Sequence, residues 1–179
     1  MQTGAFVLAE AFAEDPLMTY FWPRPGLRRQ ALPAFWDSRI ASRAETGMVD
    51  AACDADGNIV SVALWEPPGV ISSIAKPFTL FRALKGSLPR ALAASRQIED
   101  VRPDTPHLYL AAVGTHPNCR RQGFASSLIE QRLAGSTEPC FLISNSRACC
   151  PFFERFGFKR QGELSIDHGP IVYPMLLSR

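Results

Sequence analysis

Between Leu108 and Ile129 the chain reads Leu-Tyr-Leu-Ala-Ala-Val-Gly-Thr-His-Pro-Asn-Cys-Arg-Arg-Gln-Gly-Phe-Ala-Ser-Ser-Leu-Ile, and no other stretch limits the fold so sharply. A run of β-formers ends at Thr115. A loop with Arg120 and Arg121 then delivers Gly123 and Ala125, with little or no side chain, into the first turn of a helix. Phe124 and Leu128 stand four apart, as do Ala125, Ile129 and Leu133, which gives that helix an apolar face for a sheet. A helix's first turn carries unpaired N–H groups and about half a positive charge. Small residues let a ligand reach those groups, so one reading is a phosphate or pyrophosphate site. The other is that Gly123 and Ala125 permit close helix–sheet packing while the arginines are solvated. Neither G-x-G-x-x-G nor a Gly-Lys-Ser/Thr P-loop occurs.

The remaining pattern places this unit in one α/β domain over residues 1–179. Ala5 to Ala13 reads as a helix stopped by Asp15-Pro16, since proline disfavours a helical residue before it. A second helix follows Pro25-Gly26, with Leu32, Phe35, Trp36 and Ile40 on one face and Pro33 as a point of kinking or delayed start. Met48–Cys53 and Ile59–Trp65, joined by Asp54-Ala55-Asp56-Gly57-Asn58, read as a β-hairpin. Ile74 to Ile98 is helical in pattern, interrupted by Pro77, Gly86 and Pro89. It fits a helix pair covering a sheet or a substrate, or an amphipathic helix at a membrane surface. Then come strand His107–Thr115, helix Gln122–Ala134, strand Cys140–Ser144, helix Ala148–Phe156 and strands near Phe158–Glu163 and Ile171–Leu177. The strand–helix–strand unit favours a parallel pair.

Composition narrows the function. The 179 residues hold 19 Lys plus Arg against 17 Asp plus Glu, too balanced for the clustered basic face of a nucleic-acid binder. No apolar run is long enough to span a bilayer. Met1-Gln2-Thr3-Gly4 lacks the basic and apolar segments of a secretory signal. The five cysteines (Cys53, Cys119, Cys140, Cys149, Cys150) include no Cys-x-x-Cys. They read as reduced thiols of a cytoplasmic protein without a metal.

Arg120-Arg121-Gln122-Gly123-Phe124-Ala125 resembles the Arg/Gln-x-x-Gly-x-Gly/Ala signature of the GNAT family of N-acetyltransferases. Phe152-Phe153-Glu154-Arg155-Phe156-Gly157-Phe158 resembles that family's Phe-Tyr-x-x-x-Gly-Phe landmark. Ala11–Pro16, Leu64–Gly69 and Val113–Pro117 look like the branch containing puromycin N-acetyltransferase. The resemblance implies a mixed, mostly antiparallel sheet with a splayed parallel central strand pair and helices on both faces. It also implies a strand ahead of the first helix, which is missing here. An uncovered sheet edge would favour a homodimer.

For the site, the resemblance implies acetyl-CoA or another acyl-CoA as co-substrate, and a small-molecule primary amine as acceptor. A strand bulge would fall at Gly114. Val113, Gly114 and Thr115 would bond the pantetheine, and Arg120, Arg121, Gln122, Gly123, Phe124, Ala125 and Ser126 would hold the pyrophosphate. Asn145 and Ser146 would line the other side of the arm, beside Cys149 and Phe153. The family's proton-donating tyrosine is here Phe153, and Cys149 stands where many relatives have asparagine. These departures imply a slow enzyme, or a catalytically degenerate domain that binds or senses acyl-CoA. Glu66 is the candidate general base, or else a solvated loop carboxylate. His116 is expected to cap its turn. Tyr173 either faces the acceptor or packs, and Tyr20, Phe21, Trp22, Phe35 and Trp36 either form an acceptor pocket or belong to the core.

Overall fold

The computed structural model describes residues 3–70 and 75–179. The expected helix start at Ile74 and the first two residues of the chain lie outside them. Three helices come first: α1 (Gly4–Ala11), α2 (Pro16–Phe21) and α3 (Pro25–Ala44). The hairpin β1 (Val49–Cys53) and β2 (Ile59–Glu66) follows, then α4 (Pro77–Leu84) and α5 (Leu88–Asp100). Next come β3 (Leu108–Thr115), α6 (Phe124–Ala134), β4 (Cys140–Ser144) and α7 (Cys150–Glu154). Strands β5 (Lys159–Arg160), β6 (Leu164–Ser165) and β7 (Ile171–Leu177) close the order.

The prolines that looked like interruptions open helices instead. Pro16, Pro25, Pro77, Pro89 and Pro151 sit in the first two helical positions, where a missing N–H costs nothing. Asp15-Pro16 therefore ends α1 and also starts α2, with the Asp15 carboxylate accepting from the Leu17 and Met18 amides at 2.9 and 3.0 Å. Pro33 does not delay α3, which begins at Pro25 and runs through it. The helix expected over Ala148–Phe156 is shorter, Cys150–Glu154 after one 3-10 turn.

Strands pair in the order β1-β2-β3-β4-β7-β5, with β6 also on β7. All pairs are antiparallel except β3 with β4. That parallel pair is short: only Leu108, Tyr109 and Leu110 meet Cys140, Phe141 and Leu142. Beyond them the β4-facing edge of β3 is unpaired. The bulge lies at Ala111, not Gly114, because Leu64 faces Ala112 while Trp65 faces Leu110. Gly114 has a different reason to be glycine. A Cβ there would meet the Ala11 Cβ at 2.8 Å and Leu8 and Phe12 at 3.0 Å, so α1 lies directly on the strand.

Strand β2 is buried on both faces, as its near-continuous apolar sequence requires. Val62 and Leu64 join α1 to α5 in one core, and Ala63 and Trp65 join α6 and α7 in the other. Helices thus cover both faces of the sheet. Among the described residues the chain starts with a helix, and β1 forms one edge of the sheet.

Candidate active site

A cleft of about 2130 Å³ runs from the loop after β3, past the splayed edge of β3, to the space between α3 and the α4–α5 pair. It exceeds the ~300–1,000 Å³ of an ordinary small-molecule pocket, so two substrates can share it.

Its outer end is the loop leading into α6. Gly123 has φ +86° and Arg121 φ +64°. A Cβ on Gly123 would meet nothing within 4 Å, so the left-handed backbone, rather than tight packing, requires glycine there. The Ser127 amide donates to the Gly123 carbonyl at 2.9 Å, whereas the Gly123, Phe124, Ala125 and Ser126 amides find no acceptor among the described residues. Four consecutive donors are thus left uncommitted at the start of α6. Arg120 is anchored on the Ala11 carbonyl at 3.3 Å. Arg155 reaches Ser126 Oγ at 3.3 Å and lies 5.0 Å over the Phe152 ring. Arg155 stood inside the second landmark, but its helical spacing alone gave no sign that it turns toward this loop.

Val113, Gly114, Thr115, Arg120, Arg121, Gly123, Phe124, Ala125, Ser126, Asn145, Ser146, Cys149 and Phe153 all line the cleft. Gln122 does not; it is exposed outside the wall. Asn145 turns its amide to Asp15, 3.1 Å from each carboxylate oxygen. Ser146 Oγ caps the next turn at the Ala148 amide.

Asp15 ends a helix and stands in the Ala11–Pro16 landmark, and nothing in its spacing marks it as a site residue. It is half-buried in the cleft wall, and desolvation outweighs the Met18, Asn145 and Leu17 donors, so its pKa stands above the ordinary aspartate value. Cys149 is exposed along the same wall. Partial desolvation first, then the charge of Asp15 and neighbouring Cys150, raise its thiol pKa, which keeps it protonated at neutral pH.

At the inner end, Glu66 is no solvated loop residue. It is 5% exposed, with Oε1 2.5 Å from Arg43 Nη2 and Oε2 3.0 Å from Arg102 Nη1. Both oxygens are engaged by guanidinium groups. The Arg102 guanidinium also lies 4.1 Å over the Tyr109 ring, and burial pushes the Tyr109 hydroxyl up to about 12, so it is neutral at pH 7.

The aromatic residues divide. Phe21, Phe35 and Trp36 line the cleft, while Tyr20 donates to the Asp167 carbonyl at 2.8 Å and Trp22 to the Ala83 carbonyl at 3.0 Å, outside the wall. Tyr173 packs in the opposite core. His116 caps its turn, Nδ1 accepting from the Asn118 amide at 3.4 Å. From α4, Phe78 and Phe81 line the cleft while 86% and 60% exposed, and so lie outside the core.

A family model described as the acetyltransferase (GNAT) domain matches residues 91–160. A solved structure described as histone acetyltransferase HPA2 and related acetyltransferase from Corynebacterium glutamicum is 29% identical. It superposes with TM-score 0.74 over 96% of this chain and 86% of that one. The polyamine N-acetyltransferase of Drosophila melanogaster is 16% identical, with TM-score 0.64 over 97% and 92%. Naa20 from Chaetomium thermophilum, solved with a bisubstrate analogue, is 15% identical, with TM-score 0.53 over 95% and 79%. The chain has the GNAT fold.

Proposed function

We propose that this protein is an acyl-CoA-dependent N-acyltransferase, moving acetyl from acetyl-CoA to the primary amine of a small molecule by direct attack. The observation that carries this reading is that one cleft joins four uncommitted amides at the α6 entrance to the unpaired edge of β3. A long ligand with a diphosphate at one end and a hydrogen-bonding arm fits both. Bound acetyl-CoA would supply the activated acyl thioester.

The chain's own residues divide the remaining work. The β3 edge beyond Ala111 offers N–H groups where negative charge develops on the acyl oxygen. Asp15, whose raised pKa brings its basicity nearer the working pH, takes the proton that an ammonium must lose before it can attack. Phe153 cannot donate a proton, but Cys149, protonated and in the same wall, can deliver one to the departing thiolate. Glu66, held by two arginines, organises the inner end instead of acting as the base.

The landmarks shared with the puromycin N-acetyltransferase branch make puromycin one acceptor to include in the test. The protein is incubated with acetyl-CoA and a panel of amines, and free thiol is measured. Release that depends on one acceptor class is expected. Coenzyme A binding without thiol release from any acceptor would instead support the degenerate binding or sensing domain that Phe153 also fits.

A further inference from the structure

The inner end of the cleft holds more positive charge than negative. Three guanidinium groups face it, Arg39 and Arg43 from α3 and Arg102 from the turn after α5. The carboxylates there are Glu66 and, at the rim, Glu99, which Arg102 also meets at 3.1 Å. Tyr109 is neutral, and His107, whose Nε2 accepts from Arg102 Nε at 3.4 Å, stands outside the cleft lining. Glu66 spends one oxygen on Arg43 and the other on Arg102, and forms no ion pair with Arg39.

Arg39 meets no carboxylate among the described residues; its guanidinium lies 5.7 Å from the centroid of the Phe35 ring. Arg43, almost wholly buried, leaves its Nε without an acceptor among the described residues. The two groups repel: after burial, the Arg39 charge is the next cause lowering the Arg43 pKa. A guanidinium fork beside a buried unmet donor in an apolar wall is a seat for a carboxylate. The excess is a single charge, which a carboxylate neutralises and a phosphate dianion would overshoot.

We infer that the acceptor is an amine that also carries a carboxylate, seated on Arg39 with Arg43 behind it. This rests on reading the cleft as an acceptor site. Arg102 lies over Tyr109, which also feels the charges of Arg43 and Arg39, and the splayed edge begins at Ala111, two residues or about 7 Å along the strand. Amine and acid are therefore separated by an apolar spacer, as in 4-(aminomethyl)benzoate, and are not both on one carbon. Polyamines, which name one of the structurally similar enzymes, carry the wrong charge for this end.

The test is calorimetric titration of the whole protein, saturated with coenzyme A, with 4-(aminomethyl)benzoate, 4-(aminomethyl)benzamide and spermidine. The acid is expected to bind at least ~10-fold more tightly than the amide or spermidine. Arg39→Gln should equalise acid and amide, and Arg39→Lys should keep part of the preference. Equal or weaker binding of the acid, no binding of it at millimolar concentration, or an unchanged preference in Arg39→Gln overturns the inference. Because the readout is binding, the two readings fail separately. An acid preference without thiol release removes the transferase reading alone, and release with neutral amines but no acid preference removes this one alone.

Discussion

At the residue scale, Asp15 joins two tasks in one carboxylate, capping α2 and facing the cleft. Asparagine at that position keeps an acceptor for the cap but cannot take a proton. Asp15→Asn is expected to lower kcat/KM by roughly 10²–10⁴-fold. Wild-type activity should rise with pH through a value above the ordinary aspartate pKa, since the working form is deprotonated, and the variant should lose that limb. A wild-type profile in Asp15→Asn would leave the residue as a cap alone. Stability moves the other way. The native state holds the Asp15 proton up to a higher pH than the unfolded chain does, so this residue's contribution falls as pH rises between the two pKa values. Phe153→Tyr, which restores a proton donor, should raise kcat in a thiol-release assay; an unchanged kcat would show that thiolate protonation is not limiting.

At the element scale, the Glu66 network ties α3, β2 and the turn before β3 together. Glu66→Gln leaves Arg43, 3% exposed, without its counter-charge and should cost about 3–5 kcal/mol, read as a lower urea midpoint. Gly114→Ala forces a methyl against α1 and should cost about 1–3 kcal/mol. Gly123→Ala should cost about 1–2 kcal/mol through backbone strain alone. The strands were legible because β2, β3 and β4 are apolar runs bounded by turns, and Cys140–Ser144 matched to the residue. The cradle was legible because arginine, glycine and alanine stand at a fixed spacing in one loop. Asp15 and the arginine cluster were not. Their meaning depends on α1, α3 and β3 meeting across the sheet, and sequence spacing says nothing of pairs like Asp15 and Asn145, 130 positions apart. The misplaced bulge has the same origin: Gly114 looked like a strand irregularity because the helix lying on it could not be seen.

At the scale of the whole molecule, the two cores separate labour. In the proposed reading, the side built on α6 and α7 would hold the diphosphate, and the side built on α1 to α5 would surround the acceptor. Coenzyme A affinity should therefore fall with added salt, as expected for a diphosphate held by Arg120, Arg121 and Arg155 near the surface. Acceptor choice should respond instead to changes in α3 and α4. Serine in place of Phe78 and Phe81 should raise KM for the acceptor and leave coenzyme A affinity within about twofold, measured by titration.

The parting of β3 from β4 after Leu110 leaves one edge of β3 without a partner strand in the middle of an otherwise hydrogen-bonded sheet. A ligand that pairs with that edge binds the native state and not the unfolded chain, so binding would add to stability. At a hundredfold excess over Kd, coenzyme A should add about 2.7 kcal/mol to the unfolding free energy, visible as a higher Tm. The protein would then be sturdiest in cells rich in its donor and most easily unfolded when the donor runs short.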